Sequence, residues 1–414
     1  MERISSLIRP RNSHVELAHK VDYTALHLSF KQRMQIVSRR DRMGRTKPGW
    51  MRVLAAALVV FILVVVGGKL QTRALDKKAP TGAPVKENEI QLSFAGDIML
   101  GRYVETFGSE VSYDELFRPS KALWAESDLV FANLECSVLQ NPDQYREADK
   151  LTLPAKPEAL SATASAGISA LSLANNHTVD FGRDALSETL SLLQANGIRY
   201  AGAGENWEEA GSCCDLTADG INVGFLACTQ IVPSHFTANK DGAGVATPKS
   251  NYFNQSVTLS AMRNDLTVVY VHWGNENSPK ISEKQRELAH RLINSGADII
   301  IGSHAHVLQG VEEYEGKNHS GIIFYGLGNY IFDQAQRPYR NTMLVQLNVN
   351  KETGEGLFTL IPMRIENFHP FETTNAVYVS EFQRCVTRDL SDQSYRVLDN
   401  GRIEIPYTFT IGGQ

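Results

Sequence analysis

The feature that most constrains this chain is a regular alternation of short apolar runs with amphipathic helical segments. "EIQLSFAG", "SDLVFANLE", "GISALSLANNH", "INVGFLACT", "LTVVYVHWG", "DIIIGSHAH" and "SGIIFYGLGNY" each have the length and apolar content of a buried strand. Helical stretches lie between them. One runs from about Tyr113 to Glu126, and another is "RDALSETLSLLQANG", with Leu186, Leu190 and Leu193 on one face and Gly197 as its stop. A third, "SEKQRELAHRLINSG", separates the "VVYVHWG" and "DIIIGSHAH" runs. Strands alternating with helices define an α/β class. Two late, adjoining runs, "NTMLVQLNVN" and "GEGLFTLIPMRI", predict an added antiparallel pair. The chain has 414 residues, with 43% hydrophobic and 21% charged, enough apolar material for one large domain with appendages.

The formal charge of -5 conceals a division. Residues 1–52 carry 12 Lys and Arg against 4 Asp and Glu, net +8, and the remaining residues carry 29 against 42, net -13. Between these parts, Val53 to Gly68 is free of charge. As a helix this run is about 24 Å long, and Trp50, Met51 and Leu70 extend it toward the ~30 Å of a hydrocarbon core. Arg39, Arg40, Arg42, Arg45, Lys47 and Arg52 crowd its N-terminal side, which places the N-terminus in the cytoplasm and the main domain outside. A cleaved signal peptide fits less well, because about 50 residues precede the run and no small-x-small site follows it.

The expected organisation is a basic cytoplasmic segment (1–49), a transmembrane helix (50–70), a polar Pro-containing linker (71–89), a main domain (90–370) and a C-terminal extension (371–414) without a legible motif. The basic segment beside a membrane span serves topology and anionic lipid, and the acidic main domain argues against nucleic acid as its partner. The cysteines Cys136, Cys213, Cys214, Cys228 and Cys385 are odd in number and lack CxxC spacing. They form neither a disulfide framework nor a zinc-thiolate set, although one bridge is compatible with an outside location.

Function concentrates where the apolar runs end, since α/β sheets bind ligands at the carboxyl ends of their strands. Those ends carry Asp97, then Asn133 and Glu135, then Asn175, Asn176 and His177, then His272 and Glu276, and finally His304 and His306. Singly, each has a bland explanation, such as a helix cap for Asp97 or turn formation for the asparagines. Five successive strand ends bearing carboxylate, imidazole and amide point instead to a divalent metal. Without thiolate, that mixture suits Mn, Fe or Zn. Six candidate ligands are enough for one or two ions, and a pair would activate water and clamp the oxygens of a phosphoryl or acyl group. His177, beside a ligand candidate, is placed to act as an acid or charge stabiliser.

At these residues the chain resembles the bacterial capsule biosynthesis proteins of the CapA/PgsA type, which are linked to poly-γ-glutamate and related to calcineurin-like metallophosphoesterases. "FAGDIMLGR", "ANLECSV", "LANNHTVDFG", "VHWGNE", "IIGSHAHVLQGVE" and "YGLGNYIFD" occur in the family's order and span roughly residues 90 to 365. The resemblance implies an α/β fold, a layered αββα metallophosphatase-like sandwich, with metals at the strand ends. It implies Asp97, Glu135, Asn176, His272, His304 and His306 as metal ligands and His177 as the catalytic imidazole. Arg102, Asn329 and Asp333 fall in matching motifs, with Arg102 and Asn329 as candidate substrate contacts. One departure stands out. Where the phosphoesterases have Asp-x-His, Asp97 is followed by Ile98 and Met99, so one metal position lacks a histidine.

Two functions follow as expectations. One is a membrane-anchored, extracytoplasmic metal-binding protein of poly-γ-glutamate, or related anionic polymer, biosynthesis and export, assembled with membrane synthetase subunits. The other is a free-standing metallohydrolase acting on phosphoesters or on γ-glutamyl or peptide amide bonds.

Overall fold

The computed structural model describes residues 82–145, 151–249 and 251–411. The expected transmembrane helix over 50–70 and its basic flank lie outside the described residues. Among the described residues no helix is long and apolar enough to cross a membrane.

The chain enters a ten-stranded sheet with β1 (Glu89–Ile98), β2 (Leu129–Leu134), β3 (Ala170–Ser172) and β4 (Arg199–Ala201). It crosses to a six-stranded sheet for β5 (Cys214–Ala218), β6 (Ile221–Thr229), β7 (Leu266–His272), β8 (Ile299–Ser303), β9 (Val311–Glu315) and β10 (Ser320–Phe324). It then returns to the larger sheet as β11 (Asn329–Ile331), β12 (Asn341–Asn350), β13 (Glu355–Glu366), β14 (His369–Glu372), β15 (Arg396–Val397) and β16 (Ile403–Thr408). The large sheet runs β15-β16-β13-β12-β1-β2-β3-β4, with β11 beside β1 and β14 beside β13. The small sheet runs β9-β10-β8-β7-β6-β5. β1 through β4 are mutually parallel, as are β6, β7, β8 and β10. The expected late antiparallel pair is β12 against β13, which extends the large sheet on the other side of β1.

The two sheets are joined by a core that takes alternate residues from each strand. From the large sheet come Ile90, Leu92, Phe94 and Phe131, and from the small sheet Phe225, Tyr270, Ile301 and Phe324. The residues between them point the other way. Ala95, Val130, Ala132 and Leu171 pack under α1 (Arg102–Glu110), α2 (Tyr113–Leu123) and α3 (Arg183–Ala195), through Val104, Leu116, Leu186 and Leu190. Leu226, Val269, Val271 and Ile300 pack under α4 (Asn251–Ala261) and α5 (Glu283–Asn294), through Phe253, Val257, Leu288 and Leu292. Both faces of both sheets are therefore covered, which is why strands such as "LTVVYVH" are buried throughout. The helical segment read as "SEKQRELAHRLINSG" begins at a capping box between Ser282 and Gln285.

The segment read as a C-terminal extension is woven into this core. α6 (Ala376–Val386) and β16 add Phe382, Val386, Ile403 and Ile405 to the inter-sheet layer, followed by Phe409. All five cysteines are free thiols.

Candidate metal centre

Two rows of paired residues at the carboxyl ends of the strands set the site. In the large sheet Asp97 pairs with Asn133 on β2 and with Asn329 on β11. In the small sheet His272 pairs with Thr229 on β6 and Ser303 on β8. Asp97 faces the second row because of a β-bulge. Phe94 pairs with Phe131 but Asp97 pairs with Asn133, so β1 uses three steps where β2 uses two. The extra residue reverses the alternation and turns Asp97 toward the small sheet, while Ile98 goes to the helix-covered side. Asp97 Oδ1 accepts from Asn133 Nδ2 at 2.9 Å, and its Oδ2 lies 3.5 Å from His306 Nδ1.

The remaining candidates converge on Asp97. Ligand atoms of Asp97, Glu135 and His272 all lie within 4.8 Å of one another. His272 Nε2 is 2.7 Å from Asn176 Oδ1 and 3.0 Å from His304 Nδ1. His306 Nε2 is 3.5 Å from Glu135 Oε1. His304 and His306 have positive φ of 86° and 56°, a strained backbone of the kind found at ligand clamps. The six expected ligands thus form one contiguous buried cluster, of which Asn176 alone is partly exposed.

The donor set fits a divalent cation. Glu135 is fully buried, and neither of its carboxylate oxygens has a hydrogen-bond partner among the described residues. A buried carboxylate that accepts no hydrogen bond and has only the His306 imidazole near it, at 3.5 Å, is costly, and a cation lowers that cost. A second sign lies at His272 Nε2, which faces both the lone pairs of Asn176 Oδ1 and His304 Nδ1. One proton serves one of these contacts well, whereas a cation accepts from all three groups.

Both outer imidazole nitrogens are also held, as metal-bound histidines usually are. His272 Nδ1 meets Ser303 Oγ at 2.9 Å, and His306 Nδ1 meets Asn329 Oδ1 at 2.8 Å. The candidate ligands also shift one another's titration. Burial, with Asp97 nearby, pushes the Glu135 carboxyl up to about 8 against the pull of His306. Burial disfavours the His306 imidazolium, but Glu135 and Asp97 outweigh it and raise its pKa to about 10. Burial lowers His304 to about 4 and takes His272 well below the ordinary histidine value, so both present lone pairs.

His177 stands at the edge of the cluster with its Nδ1 3.0 Å from Asp180 Oδ2. Burial opposes its protonation, yet Asp180 and Glu135 raise its pKa overall. Nδ1 is thereby fixed and Nε2 is left as the atom that can give or take a proton. Arg102, about a third exposed, pairs with Asp333, and its guanidinium lies 5.7 Å above the ring of Phe332, which in turn packs 5.0 Å from His306. Asn329 is fully buried, and its Nδ2 donates to Gln334 Oε1 and the Tyr339 carbonyl, so both ends of its amide are used within the protein. Met99, at the position of the histidine in Asp-x-His, is buried in the helix-side core, where its Sδ accepts from the Gly101 N–H.

Sequence reasoning passed over Ser303, Asp180 and the supporting role of Asn133. It gave Asn175 no role beyond turn formation. Asn175 is buried and bonded to Asn133, to the Leu134 carbonyl and to the His177 N–H, and so it holds the loop that presents Asn176. The available signal was adjacency, since each of these residues lies within three positions of a site residue in the same strand-end motif.

Fold and site together define a mixed α/β protein with a buried carboxylate, imidazole and amide cluster at the ends of strands from two sheets. The chain belongs to the bacterial capsule synthesis protein family, described as PGA_cap, which its residues 91–334 match. It is 30% identical over 387 residues to the capsule biosynthesis protein CapA of Bacillus anthracis, covering 91% of this chain and 90% of that one. It is 29% identical over 372 residues to the PGA biosynthesis protein CapA of Bacillus subtilis (strain 168), covering 89% and 93%. A protein named "Probable polyglutamine synthesis accessory protein", from Mycobacterium tuberculosis, is 26% identical over 257 residues, covering 58% and 66%. Among solved structures, a 5'-nucleotidase precursor from Thermus thermophilus aligns at a TM-score of 0.37 and 14% identity, over 63% of this chain and 51% of that chain.

Proposed function

We propose that this protein is a membrane-anchored, extracytoplasmic, metal-binding component of poly-γ-glutamate, or related anionic polymer, biosynthesis and export. In this reading the metallophosphatase-like domain stands outside the cell on the charge-free 53–68 segment and works with membrane synthetase subunits. The names of the relatives that align over about nine tenths of the chain support the pathway. The observation that carries the metal is the Glu135 carboxylate, buried beside Asp97 and His272 with no hydrogen bond to either oxygen. Asp97, Glu135, Asn176, His272, His304 and His306 would hold one or two ions of Mn, Fe or Zn. A divalent cation there supplies Lewis-acid polarisation of an oxygen on the bound chain. His177, steadied through Nδ1 by Asp180, would hold a proton at Nε2 for transfer to or from such an oxygen.

The test is metal analysis of the full-length protein, wild type against His304→Ala/His306→Ala. Near-stoichiometric metal in the wild type and its loss in the variant are expected. Equal content in both sinks the centre. Protease accessibility in intact cells tests the topology, since protection of the main domain contradicts an outside location. The second reading, a metallohydrolase, is favoured by the buried His177–Asp180 pair at the edge of the cluster. Cleavage of oligo-γ-glutamate or of phosphoesters that disappears in His177→Ala supports it. Intact substrates throughout leave the assembly role.

A further inference from the structure

Glu276 is a strand-end carboxylate that the expected ligand set does not use. It follows His272 by four residues, on the loop between β7 and α5. It is exposed, whereas five of the six expected ligands are buried. Its side chain makes no ion pair or hydrogen bond among the described residues.

The backbone beneath Glu276 is fixed from both sides. The Asn277 N–H donates at 2.8 Å to the carbonyl of Ala305, the residue between the two histidines. Gln309, fully buried three residues after His306, donates from Nε2 to the Ser278 carbonyl at 2.8 Å and accepts at Oε1 from Gln285 Nε2 at 2.9 Å. Gly274, with φ of 84°, lets the loop leave β7 along a path where a Cβ would stand 3.0 Å from the Gln285 amide. The loop is thus tied to the very segment that presents His304 and His306. The charge of Glu276 reaches the cluster as well. It opposes ionisation of Glu135 and favours protonation of His304, and among the strongest influences on either it alone comes from outside the expected site residues. Glu276 therefore stands between solvent and the Glu135 oxygens, which accept no hydrogen bond.

An ion that reaches five buried ligands must exchange most of its water on the way in. An exposed carboxylate at the mouth helps twice. Its field raises the local concentration of cations, and its oxygen replaces a water before the buried ligands engage. We propose that Glu276 is the entry carboxylate of the centre, drawing cations to the mouth and setting how fast the buried ligands are loaded, without being one of the groups that retain the ion. The assignment rests on the metal centre proposed above and adds to it a route of exchange with the solution.

The test is stopped-flow mixing of chelator-stripped full-length protein in detergent with Co²⁺, read by the visible absorption of the bound ion. Glu276→Gln removes the charge and keeps the shape. Its association rate is expected to fall about 5-fold at low ionic strength and to approach wild type at ~1 M salt, where the screening length is ~3 Å. Metal content at saturation and release into EDTA should match wild type, as for a rim charge that acts on association. Glu276→Asp, which keeps the charge, should recover most of the rate. Glu352→Gln makes the same charge change on the exposed β12–β13 turn, beside Asn88 at the far end of β1, and should load like wild type. Equal loading by Glu276→Gln and wild type overturns the proposal. Equal slowing in Glu352→Gln also overturns it, by reducing the effect to net charge. Slowing that persists at high salt, or metal lost at saturation, makes Glu276 a retaining ligand and overturns the entry role. Wild type that takes up no Co²⁺ removes the centre itself, and the entry role with it. Normal uptake by wild type with unaltered loading in Glu276→Gln leaves the centre standing, so the two failures are distinct.

Discussion

Asn329 and Ser303 would act on a bound metal only through expected ligands. Each holds the outer nitrogen of an imidazole, His306 and His272 respectively. Losing such an orienting partner typically costs 10–100-fold in metal affinity, so Asn329→Ala and Ser303→Ala should each weaken Mn²⁺ binding by about that factor. Unchanged affinity in isothermal titration would mean that packing alone fixes the rings. Protons compete with the ion at the same atoms. Below about 8 the Glu135 carboxyl keeps its proton, and His306 keeps its own to about 10. Both must lose protons before they can ligate, so apparent affinity should rise steadily with pH between about 6 and 9. His304 and His272, lowered by burial, are neutral over that range and contribute no opposing trend. A flat or falling profile would contradict a site built on Glu135 and His306.

The elements place these residues through one irregularity in β1. Strict alternation would send Asp97 to the same side as Ala95, under the helices. The bulge between Phe94 and Asp97 sends it to the other. Two features hold the bulge. Gly96 lies so close to Gly328 that a Cβ would stand 1.9 Å from the Gly328 carbonyl oxygen. Tyr270, from the opposite sheet, directs its hydroxyl to the carbonyls of Ala95, at 3.2 Å, and Phe131, at 3.1 Å. Gly96→Ala should therefore cost about 1–3 kcal/mol and displace Asp97 enough to abolish metal retention. Tyr270→Phe, which keeps the ring but removes the buried donor, should cost about 1–3 kcal/mol by chemical denaturation. A Gly96→Ala protein that melts like wild type and keeps its metal would show that the bulge does not position Asp97. This irregularity was hidden in the sequence. "EIQLSFAGD" reads as a strand ending in a carboxylate, and the polar strand ends were legible because each follows an apolar run. The face that Asp97 occupies depends on a register that only its neighbours β2 and β11 define.

At the scale of the molecule, the same distinction separates what periodicity reveals from what it conceals. The alternation of runs and helices announced the α/β class, and the β12–β13 pair was visible as two adjoining strand patterns. The stretch after residue 371 gave no such signal, because its short strands and single helix are half exposed and carry no site residue. Its contribution lies in where a few side chains go. Phe382, Val386, Ile403, Ile405 and Phe409 are between 0% and 4% exposed, all within the layer between the two sheets. Burying five such side chains contributes on the order of 10 kcal/mol, comparable to the whole net stability of a domain. β16 moreover pairs with β13 over Glu355–Leu360, so its loss bares the backbone of that strand as well as its apolar face. A chain ending at residue 375 should then fail to fold and should accumulate as aggregate. Exposed-face substitutions in the same segment, such as Arg384→Ala, should leave the melt within a few degrees of wild type, as expected for surface changes of less than about 0.5 kcal/mol. A soluble, cooperatively melting truncation would place the last forty or so residues outside the folding unit and leave the inter-sheet layer complete without them. Aggregation of the truncation alongside a normal Arg384→Ala melt would establish that the apolar side chains, rather than the segment's surface, close the sandwich on which the strand-end cluster is mounted.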